Sequence, residues 1–362
     1  MQPQDGLEER AVDDLQVLVP ALIEALEKLA FVSRYLNPPD FARVMEAVGA
    51  PDEPLRVARA RLEGWPAALA DVSQSVGAAA DEALAGFEGL RAAPDDPDGM
   101  NAVFRAFRHL PRAQEALYPL AAALPPVSRY FLDPAVRGDT DLVRRFSQAP
   151  ANPETGVLHF DNEPGSRGGF SLYVPETYRP DAAWPLVVAL HGGSGHGRGF
   201  LWSWLRDARS FGAILVAPTA VGRTWALQGP DPDTPNLARI LEQVRNRWNV
   251  DPQRLLLTGM SDGGTFAYVT GLEPGSPFTH LAPISAAFHP MMAQFADRER
   301  LSVLPIRITH GALDWMFPLD MARGAARALA AAGAEVTYRE IDDLSHTYPR
   351  EENRGILDWL KG

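Results

Sequence analysis

Covalent chemistry is most plainly suggested by the segment Gly259-Met260-Ser261-Asp262-Gly263-Gly264. The strand-like run RLLLT precedes it and the helix-like run TFAYVTGL follows, so Ser261 is expected at a sharp strand–turn–helix junction. Such a turn needs glycines because neighbouring backbone passes close. It lifts the serine hydroxyl to the start of the next helix, where free N–H groups and the helix dipole favour developing negative charge. A glycine-rich turn with only a structural role is the competing reading, and the flanking strand and helix weigh against it.

Serine alone is a weak nucleophile and needs a base within hydrogen-bond reach. Downstream histidines are His280, His289, His310 and His346. His280 opens a strand candidate, His289 follows one, and His310 sits at a strand end, where it would shape a loop. His346 lies in DDLSHTYP, between the last strand candidate and the C-terminal helix, where a loop can carry the imidazole over the serine. The imidazolium needs an orienting acid. Asp314 in HGALDWMFP follows the penultimate strand candidate and fits the chain order serine, acid, histidine. Asp342 and Asp343 are the alternatives, nearer in sequence and read as a strand end. A second glycine-rich loop, His191-Gly192-Gly193-Ser194-Gly195, follows the strand candidate PLVVAL. Its N–H groups suit a tetrahedral oxyanion, at about 3–4 kcal/mol per donor. Gly193 is the expected donor, with Ser194 as the near alternative, and the N–H of Asp262 is the other. A phosphate-cradling loop would need a P-loop lysine or dinucleotide spacing, and neither is present.

These residues must be held by a scaffold. From residue 157 onward, short apolar runs alternate with helical ones, which predicts a mostly parallel sheet covered on both faces. VLHFD and GGFSLYVP predict an antiparallel hairpin; the further strand candidates are 185–192, 213–220, 254–261, 280–287, 305–311 and 335–342. Helices are predicted near 199–210, 236–248, 263–271, 318–332 and 350–361. Residues 1–146 read as an all-helical N-terminal domain, and SQAPANPETG (147–156) as a linker to the domain at 157–362. Leu15, Leu18, Val19, Leu22, Leu26 and Leu29 mark one helix face, with Pro20 as a kink or a helix start. Further helical runs cover 40–48, 55–90 and 100–122. His109 and His159 read as ordinary packing or surface residues.

The region from about 168 to 361 resembles the α/β-hydrolase superfamily, especially bacterial phospholipase/carboxylesterases and polyhydroxybutyrate-depolymerase-like esterases. The resemblance rests on HGG at 191–193, GMSDGG at 259–264, HGALDWMFP at 310–318 and Ser345-His346. It implies Ser261 as nucleophile, Asp314 as acid, His346 as base, and the N–H groups of Gly193 and Asp262 as oxyanion hole, with no cofactor and no metal. Phe317 departs from the family, which usually has an aliphatic residue before that proline. The N-terminal 150 residues carry no such resemblance.

The reaction expected is hydrolysis of small to medium carboxylic esters, aryl esters included, with a small-molecule substrate as the partner. Trp202, Trp204, Trp225, Trp315 and Phe317 are candidates for an aromatic pocket. A short connection between HLAPISAA and PIRITHG leaves little room for a large lid. A serine peptidase, a lipid, thioester or polymer deacylase, and a non-catalytic binding protein on a hydrolase scaffold are the rivals. The first two would use the same three residues, and the filled triad positions weigh against the third. The helical region is a candidate for capping the site, for homo-oligomer formation, or for stabilising the second domain. The formal net charge of -12 argues against nucleic-acid binding, and the zero cysteine count excludes disulfides and thiolate chemistry. No apolar run reaches membrane-spanning length and the N-terminus is acidic, so a cytoplasmic location is expected.

Overall fold

The computed structural model describes residues 3–362, with side chains from residue 9 onward. The chain divides into two compact units, Met1–Ala149 and Pro150–Gly362.

The first unit is helical: α1 (Pro3–Arg34), α2 (Phe41–Val48), α3 (Asp52–Arg59), α4 (Ala70–Ala92), α5 (Met100–Phe107), α6 (His109–Leu117), α7 (Pro125–Tyr130) and α8 (Thr140–Ser147). The apolar face of α1 is buried through Leu18, Val19, Leu22, Leu26 and Leu29, the spacing that its sequence pattern requires. Pro20 neither starts nor ends that helix. Pro20 and Gln16, whose carbonyl loses its helical donor, are both exposed, so water can stand in for the missing N–H. The helical run expected over 55–90 is broken at Gly64-Trp65-Pro66, where Gly64 has φ 77° and proline lacks an N–H. His109 bonds Glu82 and serves packing on α6.

The second unit is built on one sheet of β1 (Gly156–Phe160), β2 (Phe170–Val174), β3 (Trp184–Leu190), β4 (Ile214–Pro218), β5 (Val250–Met260), β6 (His280–Ile284), β7 (Ile306–Gly311) and β8 (Val336–Ile341). Its order is β1-β2-β4-β3-β5-β6-β7-β8. β2 runs antiparallel to β1 and β4, and every other neighbouring pair is parallel. Around the sheet lie α9 (Gly197–Phe200), α10 (Leu205–Phe211), α11 (Asp233–Arg247), α12 (Asp262–Gly271), α13 (Pro290–Phe295), α14 (Arg298–Val303), α15 (Leu319–Ala331) and α16 (Glu352–Lys361). This is the α/β-hydrolase fold. The central strands are uniformly apolar because helices cover both faces; β8, at the edge, alternates half-buried and exposed residues instead.

Two local departures from the sequence pattern matter near the site. The helix expected at 199–210 is split into α9, a 3-10 turn over Leu201–Ser203 and α10. The connection between β6 and β7 folds into α13 and α14, six residues each, where no helix was anticipated. Helices that short carry too little periodicity to stand out in sequence.

Candidate active site

Parallel pairing decides which loops meet. β3, β5, β6, β7 and β8 all point the same way, so the loops at their carboxyl ends gather along one edge of the sheet. His191 follows β3, Ser261 follows β5, Asp314 follows β7 and His346 follows β8.

Ser261 stands between β5 and α12 with φ 57° and ψ -123°, a strained conformation for a residue with a side chain. Close packing enforces it. A Cβ on Gly259 would lie 2.5 Å from the carbonyl carbon of Gly263, and one on Gly263 would lie 2.5 Å from the oxygens of Leu190 and His191. The turn is fixed from outside by the Ser261 N–H, which donates to Ile284 O at 3.0 Å. Serine at a helix start usually caps the helix, but this hydroxyl makes no cap bond. It lies 3.0 Å from Nε2 of His346 instead.

The other imidazole nitrogen, Nδ1, is 2.8 Å from Oδ2 of Asp314. A carboxylate only accepts, so Nδ1 carries the proton and Nε2 is left free to accept from the serine. Asp314 Oδ1 accepts the N–H groups of Met316 and Phe317 at 2.9 and 2.8 Å. Burial pushes the Asp314 carboxyl up, but the bonds from His346 and from those two N–H groups outweigh it and hold the group below its ordinary range. His310 Nε2 donates to Phe317 O at 3.0 Å and so pins the loop that carries the acid.

The loop after β3 is organised by a buried histidine. His191 Nδ1 donates to Gly192 O at 2.7 Å, and its Nε2 accepts the Ala220 N–H at 3.1 Å. Burial, against the raising effect of the Gly192 bond, pushes its pKa down to about 3, so the ring is neutral. Gly192 packs against the nucleophile: a Cβ built on it would lie 3.6 Å from that of Ser261. The next residue, Gly193, and Asp262 at the start of α12 both have N–H groups with no acceptor among the described residues. Two free donors beside a serine hydroxyl suit a developing oxyanion.

The expected pocket residues separate into two groups. Trp315 is 39% exposed, and its ring centroid lies 6.1 Å from that of His346; Phe317 is half-buried at 5.3 Å. Trp202, Trp204 and Trp225 are instead buried, each at 3% exposure or less, so none of them can line an open pocket. Trp225 braces the loop from below: its Nε1 donates to His191 O at 2.7 Å while its ring stacks on Phe266 of α12. Sequence reasoning missed this role and also missed Thr224, whose hydroxyl donates to Asp262 Oδ2 at 2.6 Å. No motif signals either contact, since both join loops distant in sequence. Among the described residues no group of three or more His, Asp or Glu side chains is placed to hold a metal ion.

The Pro150–Gly362 unit has the α/β-hydrolase fold, and its strand-end loops bring Ser261, His346 and Asp314 into one hydrogen-bonded chain. No family model matches the chain. A stretch of 212 residues, 54% of the chain, is 27% identical to a bifunctional acetylxylan esterase/xylanase of Neocallimastix patriciarum, and the chain spans 28% of that protein's length. Similar solved structures include a thermostable esterase at 23% identity, covering 57% of this chain and 61% of that one with a TM-score of 0.46. A ferulic acid esterase is 17% identical over 56% of this chain and 96% of that one, with a TM-score of 0.48. A fluorophosphonate-binding serine hydrolase of Staphylococcus aureus is 13% identical over 57% of this chain and 97% of that one, with a TM-score of 0.47.

Proposed function

We propose that the chain is a serine carboxylesterase acting through an acyl-enzyme on Ser261. The observation that carries this reading is the continuous hydrogen-bond chain from Ser261 Oγ through His346 to Asp314, at 3.0 and 2.8 Å. His346 Nε2 takes the hydroxyl proton as Oγ attacks the ester carbonyl. The oxyanion that forms is held by the N–H groups of Gly193 and Asp262. Collapse of the tetrahedral intermediate breaks the bond to the alcohol oxygen, which leaves with the proton from His346. Water, deprotonated by the same nitrogen, then attacks the acyl-enzyme and releases the acid.

The rim of the site favours small to medium esters with an apolar or aromatic part. Leu313, Trp315 and Met316 are exposed beside the acid, and Phe317 stands edge-on to the His346 ring. The acetylxylan esterase activity named for the Neocallimastix relative lies at the short-acyl end of that range. The two six-residue helices after β6 leave the unit without a large lid inserted at that point, which suits soluble esters more than long-chain lipids. The helical unit stays a candidate for self-association. Among the described residues no helix is long and apolar enough to cross a membrane.

Hydrolysis of p-nitrophenyl esters from acetate to palmitate, by wild type and Ser261→Ala, tests this reading. Turnover of the short esters that disappears in the variant is the expected result. Equal rates in both proteins, or a folded wild type inert to the whole series, would overturn it.

A further inference from the structure

Beside the oxyanion loop lies a recess of about 260 Å³ lined by Arg167, Ser194, Val221, Gly222 and Arg223. It is tied to the nucleophile by two independent routes. Ser194 is two residues beyond Gly192, which packs on Ser261, and two Cα–Cα steps span at most about 7.6 Å. From the other wall, Arg223 is followed by Thr224, whose hydroxyl bonds the carboxylate of Asp262, the residue after the nucleophile. The recess therefore lies on the order of 10 Å from the Ser261 hydroxyl, within reach of one end of a small ester.

Its charge is unusual for this molecule. The chain carries a formal net charge of -12, yet two of the five residues lining this recess are arginines and none is acidic. Arg167 donates Nε to Gly222 O, one terminal nitrogen to Gly195 O and the other to Arg223 O, at 2.7, 2.8 and 3.1 Å. These are neutral acceptors, and they use three of its five N–H groups. Burial without a paired carboxylate lowers the Arg167 pKa, with Asp233 opposing. The Arg223 side chain forms no hydrogen bond or ion pair among the described residues. Nearby acids are engaged elsewhere: Asp233 accepts the Val221 and Ala226 N–H groups, and Asp262 accepts the Thr224 hydroxyl.

A positively charged concavity next to an oxyanion site suits a planar, bidentate anion. Resting on the esterase reading above, we propose that this recess binds a carboxylate carried by the ester itself, with Arg223 as the specificity-determining residue and Arg167 as the fixed part of its wall. The preferred substrates are then half-esters of dicarboxylic acids, or esters of alcohols that bear a carboxylate.

Two matched series read this directly. On the acyl side, p-nitrophenyl hemisuccinate, hemiglutarate and hemiadipate are compared with the butyrate, valerate and hexanoate. On the alcohol side, the butyrate of 4-hydroxy-3-nitrobenzoic acid is compared with p-nitrophenyl butyrate. The quantity measured is the ratio of kcat/KM for the charged over the neutral ester, in wild type and in Arg223→Gln. The expected result is a ratio at least tenfold higher in wild type than in Arg223→Gln in one of the two series, with the difference shrinking at high salt. Ester turnover with the same ratio in both proteins overturns the carboxylate subsite and leaves the esterase reading standing. Where no ester is turned over, calorimetry with free glutarate decides the subsite by itself. Binding at least tenfold weaker in Arg223→Gln supports it, and equal binding, or none to the wild type, overturns it.

Discussion

A Cβ on Gly193 would stand 2.7 Å from Oδ2 of Asp262, and that oxygen is held in place by the Thr224 hydroxyl at 2.6 Å. The two residues proposed to supply the oxyanion hole thus constrain each other through a side chain as well as sharing a substrate atom. Gly193 does not have a positive φ, so backbone conformation is no bar to alanine there. The bar is the Asp262 carboxylate.

Gly193→Ala is therefore expected to displace one oxyanion donor while leaving the fold intact. Loss of a whole donor costs up to about 4 kcal/mol, or 10²–10³ in kcat. A displaced donor should cost on the order of tenfold to a hundredfold, with KM little changed. Adding Asp262→Ala removes the obstructing carboxylate but keeps the Asp262 N–H, so the double variant should recover most of the lost kcat. Kinetics of the three proteins on one short p-nitrophenyl ester check this. A double variant as slow as Gly193→Ala would show that the contact does not set the loop.

Asp314→Asn separates the proposed acid from its sequence neighbours Asp342 and Asp343. Oδ1 of Asp314 is fixed by two backbone N–H donors, so an asparagine there must turn its amide oxygen toward Met316 and Phe317. Its NH2 group then faces Nδ1 of His346, which can meet a donor only as an acceptor. The imidazole proton moves to Nε2, and Nε2 can no longer take a proton from Ser261. A fall in kcat on the order of 10³–10⁴ is expected, in a protein whose thermal unfolding still shows a folded state. Retention of more than a tenth of wild-type kcat would point to another carboxylate as the acid.

Much of this is legible in the sequence, and the reasons differ by element. Ser261 and its glycines announce themselves because a tight turn excludes side chains and leaves a local signature. Asp314 and His346 could be placed because parallel strands bring the loops after β7 and β8 to the edge that carries Ser261. Trp225 could not. Apolar aromatic residues in loops read the same whether they line a pocket or support a floor, and only the bond from its indole N–H to His191 O shows which. Arg167 and Arg223 lie 56 residues apart with no motif at either, so their meeting is purely tertiary. Pro20 shows the opposite limit, since a helix-breaking residue is harmless where its lost bond faces water.

His191 links the site to the acid limit of the fold. Burial holds its folded pKa at about 3, against an ordinary value of 6.5, so the folded protein stays unprotonated there while the unfolded chain takes up a proton. Above pH 6.5 neither state binds it and the group leaves stability unchanged. Between pH 6.5 and 3 the unfolded state is favoured increasingly, by up to about 1.4 kcal/mol per pH unit. Burial lowers His196 and His280 as well, and they add to the slope in the same direction. Asp314, held below 3.8, contributes stability that is lost as pH falls below 3.8. His191→Gln is expected to be less stable at pH 7, because the ring's bonds to Gly192 and Ala220 are replaced imperfectly. It should nevertheless lose about one proton's worth less stability on going from pH 7 to pH 4.5, a difference of roughly 1–3 kcal/mol. Urea unfolding of both proteins at the two pH values measures it. Parallel losses would mean that protonation of His191 does not set the acid limit, whereas a shallower loss in the variant would trace that limit to the histidine that shapes the oxyanion loop.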